Sequence, residues 1–428
     1  KEGYGPSPLA FERMKAAGAD LVVTVDCGAA AYEALEAAAD QELEAVVIAH
    51  HLMRGPPPRA RAVVNPNRPD DTSGQGNLAA AGVVFVLLAA LNREARQRGL
   101  FDTREPPDIR QWLDLAAMGA ICDVTALTGF NRALASLGLK TMSQWQNSGL
   151  KALMAVAQSE LTEATPFHAG FVLGPRINAG GRIGKSDLGA RLLSSDDPDE
   201  LIELATELDQ LNSQRREVEK GITEAAADQV ERASNFDPGA PVLLVAGEGW
   251  HPGVIGVVAG RLKERWRRPV VVVGLDSAVG VGKGSGRSIP GVNLGRAVQE
   301  AFDEGLLLAG GGHAMAAGLT VRADAVPELR AFLEARLARE AEVAIEQDAL
   351  EIDVLSTARA ADRALYESFQ ILAPFGPGNP EPTFVLAGVT VRDARVLNNG
   401  HVSCRLADAD GAQVRAIAWR AAETEVGK

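Results

Sequence analysis

Polar side chains that can bind a metal ion or move a proton follow two short apolar runs near the start of the chain. Leu21–Val25 is followed by Asp26, and residues 45–49 are followed by the adjacent pair His50 and His51. The intervening residues are rich in Ala and Glu, which predicts a helix and hence the strand–helix–strand unit of a parallel sheet. Because ligands gather at the carboxyl ends of parallel strands, topology alone predicts that these three side chains converge. The alternative is that Asp26 only caps the following helix and that the histidines are loop residues.

A third apolar run, residues 113–122, also ends at a carboxylate, Asp123, and we interpret it as strand-like. Carboxylate oxygens combined with imidazole suit Mn²⁺ or a similar divalent ion better than structural zinc. Two such ions about 3.5–4 Å apart would activate water for attack on a phosphodiester. Three ligands are too few for two ions, so either the site is mononuclear or further ligands lie outside this chain.

Three glycine-rich stretches are interpreted as loops, and the first of them could bind an anion. Residues 282–288 read Gly-Lys-Gly-Ser-Gly-Arg-Ser and are cationic, but their spacing fits neither a Walker A loop nor the GxGxxG fingerprint. Residues 309–318 place His313 among glycines, where a ligand could approach the backbone closely, and residues 170–189 are rich in Gly, Arg and Asn. A tight turn has the same composition, so that alternative stays open for each.

Composition limits the class of protein. The 428 residues carry a net charge of −13, which disfavours indiscriminate binding to nucleic acid, although Lys and Arg cluster locally at residues 176–191, 261–268 and 283–296. The three cysteines have no CxxC spacing, which argues against structural zinc and for a reducing, cytoplasmic location. No apolar run is long enough to predict a membrane span. Both ends of the sequence fall within patterned segments, and we interpret both as cut.

The order of elements predicts an α/β protein with several domains. Residues 196–233 have apolar positions at a 3–4 spacing and predict one helix of roughly 50 Å that bridges two domains. Residues 235–239, Asn-Phe-Asp-Pro-Gly, mark a boundary before a second α/β unit. Near the end, residues 384–391, 401–406 and 413–419 predict short strands at the start of a small β-barrel.

Taken in order, these motifs resemble those of a known family. Thr-Val-Asp-Cys-Gly at residues 24–28, the histidine pair and Asp123 are similar to the second, third and fourth motifs of the DHH phosphoesterase superfamily. Gly-Pro-Arg-Ile-Asn, Gly-Trp-His-Pro-Gly-Val-Ile-Gly, Gly-Ser-Gly-Arg-Ser-Ile-Pro-Gly and Gly-Gly-His-Ala-Met-Ala-Ala-Gly follow in that order. This series resembles the RecJ branch, bacterial exonucleases that degrade single-stranded DNA from the 5′ end. The resemblance covers essentially the whole chain.

The resemblance implies a fold and an activity. It implies a DHH domain lacking its N-terminal part (1–195), a connecting long helix (196–235), a DHH-associated domain (236–345) and a C-terminally truncated OB-fold (346–428). The implied activity is 5′-to-3′ hydrolysis of single-stranded DNA to mononucleotides in recombination and repair. The implied cofactor is Mn²⁺ or Mg²⁺, in a two-metal site in the intact protein. Implied partners are single-stranded DNA, a helicase and a single-strand-binding protein, and we expect a monomer.

The resemblance also implies roles for individual residues. Asp26, His50 and Asp123 would be metal ligands, and His51 would lie on the scissile phosphate. Three residues would line the nucleotide path: Arg176, Asn178 and Arg182. The remaining substrate-binding residues would come from the second domain, which would clamp the strand against the first: Ser285, Gly286, Arg287, Ser288, Gly311, Gly312 and His313.

Two departures from the family bear on activity. The first motif, an Asp-x-Asp, would lie upstream of Lys1, and the name-giving Asp-His-His is Ala49-His50-His51 here. Since losing a carboxylate partner of a metal-bound imidazole often costs 10–100-fold in affinity or activity, we expect this chain to be inactive or severely weakened. Whether Ala49 arose by design or by evolution stays open. A smaller departure is Gly180, where the family usually has Ala. The alternatives are a nuclease-dead relative acting as a DNA-binding scaffold, or a DHH phosphodiesterase acting on short oligonucleotides or cyclic dinucleotides.

Overall fold

The computed structural model describes residues 5–53, 55–232, 239–347, 349–422 and 424. The chain divides into two compact units: unit 1 contains residues 1–147, 159–174 and 351–428, and unit 2 contains residues 148–158 and 175–350. Among the described residues, no helix is both long enough and apolar enough to cross a bilayer. Residues 235–238 of the predicted boundary lie outside the described ranges, and the predicted domain limits stay predictions.

The helices and strands follow one another along the chain with these bounds. The first part contains α1 Pro8–Ala16, β1 Leu21–Val25, α2 Tyr32–Asp40, β2 Glu44–Ile48, β3 Ala62–Val64, α3 Ala80–Gln97, α4 Leu113–Cys122, α5 Gly129–Met142, α6 Ser148–Val156, a π-helical turn His168–Leu173, α7 Gly174–Ile183 and α8 Leu188–Ser194. The middle contains α9 Pro198–Arg232, β4 Leu243–Glu248, α10 Pro252–Trp266, β5 Val270–Asp276, β6 Val281–Arg287, α11 Leu294–Asp303, β7 Ala309–His313, β8 Ala316–Arg322 and α12 Val326–Glu346. The last part contains β9 Val354–Ser356, α13 Arg363–Phe369, β10 Phe384–Leu386, β11 Thr390–Val396, β12 Val402–Ala407 and β13 Gln413–Ala418.

Unit 1 is built on a parallel sheet in the order β1-β2-β3. Helix α2 is the crossover between β1 and β2, and its Ala34, Leu35 and Ala38 are buried with Val47 in one apolar cluster. Small alanines on that face let the helix lie close to the sheet. The predicted strand–helix–strand unit is therefore confirmed, and β1, β2 and β3 all end at the same edge.

Unit 2 contains a five-stranded sheet in the order β4-β5-β6-β8-β7, in which β4 and β5 are parallel and the other pairs antiparallel. Four consecutive valines of β5 are buried. Val271 and Val273 pack with α11 and α12 on one face, and Val270 and Val272 pack with α9 and α10 on the other. A strand covered on both faces is apolar without alternation, which explains the unbroken valine run.

Two predicted segments were wrong in type. Residues 113–122 form helix α4, not a strand. A short apolar run cannot by itself distinguish a strand from a buried helix, and its Ala, Leu and Met are strong helix formers. Residues 168–183 are helical rather than a loop. Gly174 sits inside this helical stretch because a Cβ there would collide with the sulfur of Cys122.

The other two glycine-rich segments are strands rather than loops. In β6, Gly282, Gly284 and Gly286 alternate and all face one side of the sheet. A Cβ at Gly284 would lie 2.6 Å from Leu319 Cδ1, and one at Gly282 would lie 2.7 Å from Val273 Cγ1. The glycines are therefore required by the side chains packed against them. Residues 309–313 and 316–322 form the hairpin of β7 and β8.

The long helix and the β-rich end match their predictions closely. Helix α9 runs over Pro198–Arg232, although Val218, predicted on its apolar stripe, is 40% exposed. All of α9 belongs to unit 2, and its bridging role stays a prediction. The predicted strand at residues 384–391 is two strands, β10 and β11, and β11-β12-β13 form a three-stranded antiparallel sheet.

Candidate metal centre and nucleic-acid surface

Asp26 lies in a strained turn where β1 ends. Its backbone N–H donates to Ile48 O at 2.8 Å, which extends the β1–β2 ladder by one residue, yet its φ is +63°. The left-handed conformation costs most residues with a side chain roughly 1–2 kcal/mol, and an aspartate less, because its short side chain can hydrogen-bond locally. Thr24 Oγ1 donates to Cys27 O at 3.0 Å, and a Cβ at Gly28 would lie 2.8 Å from that hydroxyl oxygen. Sequence and packing thus hold Asp26 in an unfavourable conformation at the carboxyl edge of the sheet.

The structure brings the four predicted catalytic side chains together. His50 Nε2 lies 3.2 Å from Asp26 Oδ1 and 3.3 Å from Asp123 Oδ2, and His51 Nδ1 lies 3.8 Å from Asp26 Oδ1. The two imidazole rings are 4.6 Å apart. The convergence predicted from strand topology is present for Asp26 and the histidines.

Asp123 reaches the same place from a helix end. It caps the C-terminus of α4, where its N–H donates to Gly119 O at 3.0 Å, and the chain then turns back at Val124 with φ +57°. Valine is β-branched and rarely adopts this conformation. The prediction that a strand leads to Asp123 was therefore wrong, because the element is helix α4. The position of Asp123 beside His50 agrees with the prediction.

The carboxylates shift the protonation of the site. The pKa of His50 is raised, first by its hydrogen bond to Asp26 and then, against the opposing effect of burial, by the charges of Asp123 and Asp26. Burial raises the pKa of Asp123, and the nearby imidazole of His50 partly offsets this. Burial, reinforced by Asp123, raises the pKa of Cys122 to about 11, so its thiol stays protonated at neutral pH and is not a nucleophile.

The donor set fits a divalent ion that prefers oxygen and imidazole. One ligand atom from each of Asp26, His50 and His51 can be chosen so that all lie within 4.8 Å of one another. The carboxylates of Asp26 and Asp123 are about half exposed, so an ion can reach them from solvent. This chemistry suits Mn²⁺ or Mg²⁺. Ala49 offers no oxygen, and it is fully buried in the apolar cluster with Val47 and Met53.

Unit 2 contains a polar surface on one half of its sheet. The register pairs Arg287 with Ala316 and Ala316 with His313, so these residues form one row across β6, β8 and β7. A parallel row joins Ser285, Gly318 and Gly311, and a Cβ at either glycine would meet nothing within 4 Å. Since β6 and β7 are separated by one strand, the two edges of this surface are about 10 Å apart. The result is a glycine-floored trough with Arg287 and Ser285 on one side and His313 on the other.

Helix α10 lies along the Arg287 side of this trough. A Cβ at Gly256 in α10 would lie 3.0 Å from Ser285 Oγ and 3.1 Å from the guanidinium of Arg287. Arg182 donates to Gly253 O, in the first turn of α10, at 2.8 Å. Burial, and then the charge of Arg182, lower the pKa of Arg287. Two neighbouring guanidinium groups beside a glycine-rich floor form a surface that favours anions.

The structure places the other predicted substrate residues less uniformly. Arg176 is buried and its Nε is 2.8 Å from Asp209 on α9, whereas Asn178 is exposed. Ser288 is buried and donates to Val292 O at 2.8 Å. Gly286 and Gly312 face the opposite side of the sheet from the trough, since a Cβ there would meet Leu294 and Ala317 respectively.

Sequence reasoning assigned no individual role to three residues that the structure places at these sites, although it counted Lys283 in a cationic stretch. Lys283 is exposed and lies on the trough face of β6, two residues before Ser285; the Gly-x-Gly-x-Gly alternation, with its strand period of two, was the available signal. Asn65 and Asn67, directly after β3, contact the backbone of the histidine pair. Their signal was the strand end Val-Val-Asn-Pro-Asn, the third carboxyl end at the same edge.

Comparison with known proteins identifies the domains. The DHH family N-terminal domain matches residues 4–120, the DHHA1 domain matches residues 239–339 and the RecJ OB domain matches residues 352–427. The chain is 34% identical over 392 residues to the single-stranded-DNA-specific exonuclease RecJ of Salmonella typhimurium, covering 90% of this chain and 67% of that protein. It is 36% identical over 436 residues to RecJ of Bacillus subtilis, covering 100% of this chain and 52% of that protein. The chain thus spans about half the length of the B. subtilis relative.

Solved structures agree. The crystal structure of RecJ in complex with Mn²⁺ from Thermus thermophilus matches with a TM-score of 0.78 and 33% identity, over 96% of this chain and 58% of that one. A manganese-bound exonuclease RecJ matches with a TM-score of 0.62 and 34% identity, over 79% of this chain and 80% of that one. The three domains, their order and these similarities together show that the chain belongs to the RecJ family.

Proposed function

We propose that this chain is the catalytic part of a metal-dependent exonuclease that removes nucleotides from the 5′ end of single-stranded DNA. The observation that carries the proposal is the meeting of His50 with both Asp26 and Asp123 at 3.2–3.3 Å, in a member of the RecJ family. The predicted helicase and single-strand-binding partners, the monomeric state and the cytoplasmic location stay predictions that accompany this proposal.

Each side chain at the centre has a distinct task in this proposal. Asp26, His50 and Asp123 would hold Mn²⁺ or Mg²⁺, which when bound supplies charge for the phosphoryl oxygens and an activated water. His51 is half exposed and lies 3.8 Å from Asp26, so its imidazole is available to a phosphate oxygen of the substrate. The partly exposed carboxylates leave room for solvent and substrate on the open side of the site.

The trough of unit 2 would bind the DNA backbone. Arg287, Ser285 and His313 present cationic and hydrogen-bonding groups above glycines whose backbone a strand can approach closely. Single-strand binding without sequence preference uses such positively charged grooves. A local groove of this kind explains how a chain of net charge −13 can bind a polyanion.

A second candidate function is a DNA-binding scaffold without nuclease activity. The observation that favours it is Ala49, which is fully buried among apolar side chains and supplies no oxygen to the centre. A scaffold of this kind would keep the DNA-binding trough of unit 2 but would not hydrolyse DNA. The two functions therefore predict the same DNA binding and opposite cleavage.

The test compares the full-length protein carrying Ala49 with its Ala49→Asp variant. Each is incubated with Mn²⁺ and single-stranded DNA labelled at one end. If the exonuclease proposal is right, the Ala49→Asp variant should release mononucleotides from the 5′ end much faster than the unaltered protein with Ala49. Asp123→Asn in the Ala49→Asp background is the control and should abolish release. If both forms bind DNA and neither cleaves it, the scaffold replaces the exonuclease.

A further inference from the structure

Two asparagines after β3 hold the backbone of the histidine pair. Asn67 Nδ2 donates to His50 O at 2.6 Å and to Gly76 O at 2.8 Å. Asn65 Nδ2 donates to His51 O at 2.8 Å. The two are themselves linked, since the Asn67 backbone N–H donates to Asn65 Oδ1 at 2.8 Å. Two consecutive carbonyl groups of the candidate metal centre are thus bound by one small network.

This network begins where the sheet ends. The regular ladder between the segments of β2 and β3 ends with the bond from Ala49 N to Val64 O at 3.0 Å, and the next backbone bond between them is from Met53 N to Asn67 O at 3.2 Å. Between these two bonds the carbonyls of His50 and His51 accept from side-chain amides instead. The side-chain amides thus replace the backbone donors of the sheet at His50 and His51, and they fix the backbone of the two residues whose side chains must be oriented.

The side-chain type matters at both positions. Asn65 donates with Nδ2 and accepts with Oδ1 at the same time, which an aspartate cannot do at neutral pH. Asn65 is 3% exposed, so an unpaired group left there would not be rehydrated and would be costly. Asn67 bridges the histidine turn to Gly76 and ties it to the loop before α3.

The direction of the histidines decides the geometry of the centre. His50 Nε2 must remain 3.2–3.3 Å from two carboxylates on different elements, at the end of β1 and of α4. A displacement of its backbone would break both contacts together. Partners that orient metal ligands typically change metal affinity or activity 10–100-fold when they are removed.

We infer that Asn65 and Asn67 are positioning residues that hold His50 and His51 in metal-binding orientation, an inference that rests on the proposed metal-dependent function. They touch neither metal nor substrate in this role. They act by donating hydrogen bonds to the backbone carbonyls of the histidines. Their amide donors are therefore required, and a side chain of the same size without a donor does not replace them.

The test removes the donors and keeps the shape. Asn67→Asp and Asn65→Asp preserve volume and acceptor but cannot donate, and Asn67→Ala removes the donor without adding charge. The matched control is Asn92 in α3 of the same unit, which is also buried and whose Nδ2 donates to Pro107 O at 3.1 Å. Asn92→Asp and Asn92→Ala remove the same kind of bond from a side chain that donates to Pro107 rather than to either histidine.

Mn²⁺ binding is measured directly on the full-length protein by electron paramagnetic resonance, which counts free Mn²⁺, together with pulsed measurement of the imidazole nitrogen coupling to Mn²⁺. Thermal unfolding without metal and binding of single-stranded DNA in EDTA are measured in parallel. We expect the Asn65 and Asn67 variants to weaken Mn²⁺ binding about 10–100-fold and to reduce the nitrogen coupling. Their metal-free unfolding midpoints should fall no further than those of the Asn92 variants, and DNA binding in EDTA should not change.

Different outcomes separate the two proposals. If the unaltered chain binds Mn²⁺ with nitrogen coupling and the Asn65 and Asn67 variants do the same, the positioning inference is wrong while the proposed function stands. An equal loss of Mn²⁺ affinity in the Asn92 variants would also overturn it, because the effect would then be general destabilisation. If the unaltered chain binds no Mn²⁺ at all, both proposals fall.

Discussion

Glu219 on α9 is a buried carboxylate shared by two arginines, and its removal gives a sharp test of the energetics of unit 2. Its Oε2 lies 2.9 Å from Arg215 Nη1 and its Oε1 lies 2.5 Å from Arg261 Nε, while only 1% of its side chain is exposed. Arg215 is also largely buried, and burial, despite the charge of Glu219, lowers its pKa, with Arg182 adding repulsion. The negative charge of Glu219 thus offsets the positive charges of a cluster of arginines. Arg182 of this cluster also acts on Arg287 in the trough.

Glu219→Gln should be strongly destabilising. Removing one partner of a buried ion pair typically costs 3–5 kcal/mol because the other charge stays buried. Arg261 is 45% exposed and can be rehydrated, so we expect the lower end, about 3 kcal/mol. With a urea m-value of about 2–3 kcal/mol/M, the unfolding midpoint of unit 2 should fall by about 1–1.5 M.

The same helix offers a matched control. Lys220 and Glu224 form an exposed pair at 3.8 Å, and Glu224→Gln should cost at most about 0.5 kcal/mol. The double variant Arg215→Leu/Glu219→Leu removes both buried charges and should be more stable than Glu219→Gln alone. Urea unfolding followed by Trp250 and Trp266 fluorescence measures all three. If Glu219→Gln is as mild as Glu224→Gln, the pair is effectively solvated and the reasoning from burial is refuted.

Three further predictions concern the candidate centre. Ala49→Asp should destabilise the metal-free chain by on the order of 3 kcal/mol because the position is fully buried. Adding Mn²⁺ should restore part of this loss, measured by thermal unfolding. If Mn²⁺ restores none of it, position 49 does not contribute to the metal centre. The raised pKa of His50 means that its charged form stabilises the metal-free fold below about pH 6.5, and that this contribution is lost as pH rises through the folded-state pKa. The stability difference between the unaltered chain and His50→Gln, measured by urea unfolding in EDTA, should therefore shrink with rising pH. Val124→Gly should stabilise the fold by about 1 kcal/mol, since its φ is +57° and its side chain is mostly exposed; unchanged or lower stability would show that the turn carries no strain.

Much of the fold could be predicted because its signals are local. The strand β1 ends directly before Asp26 and β2 ends two residues before His50, close to where apolar residues give way to polar ones. The parallel connection then places Asp26 beside His50. The helix α9 follows a 3–4 spacing of apolar residues near its start, although its buried face includes the polar residues Asn212 and Glu219 in the middle. In these cases the chain's own periodicity carries the information, and no contact with distant residues is needed to interpret it.

The remainder depended on contacts that a single sequence does not display. Apart from the buried Asp114, residues 113–122 are apolar on all sides of α4, so no periodicity distinguished helix from strand. The glycines of β6 are required by Leu319 and Val273, which are neighbours only in the folded sheet. The roles of Asn65 and Asn67 likewise depend on carbonyl groups that come near them only after β2 and β3 pair.

Local rules of backbone geometry are broken on both sides of the candidate centre, as they are at six other non-glycine positions among the described residues. The two turns at the centre differ from the others in the carboxylates that they carry. Asp26 has a φ of +63°, and Val124, directly after Asp123, has a φ of +57°. The left-handed conformation costs a β-branched residue such as Val124 roughly 1–2 kcal/mol, whereas an aspartate tolerates it better than most residues. Such strain persists where the surrounding structure determines it, and it clusters at functional sites. Here the two strained turns carry the two carboxylates that meet at His50, so the fold sustains strain at the points where the proposed chemistry needs fixed oxygens.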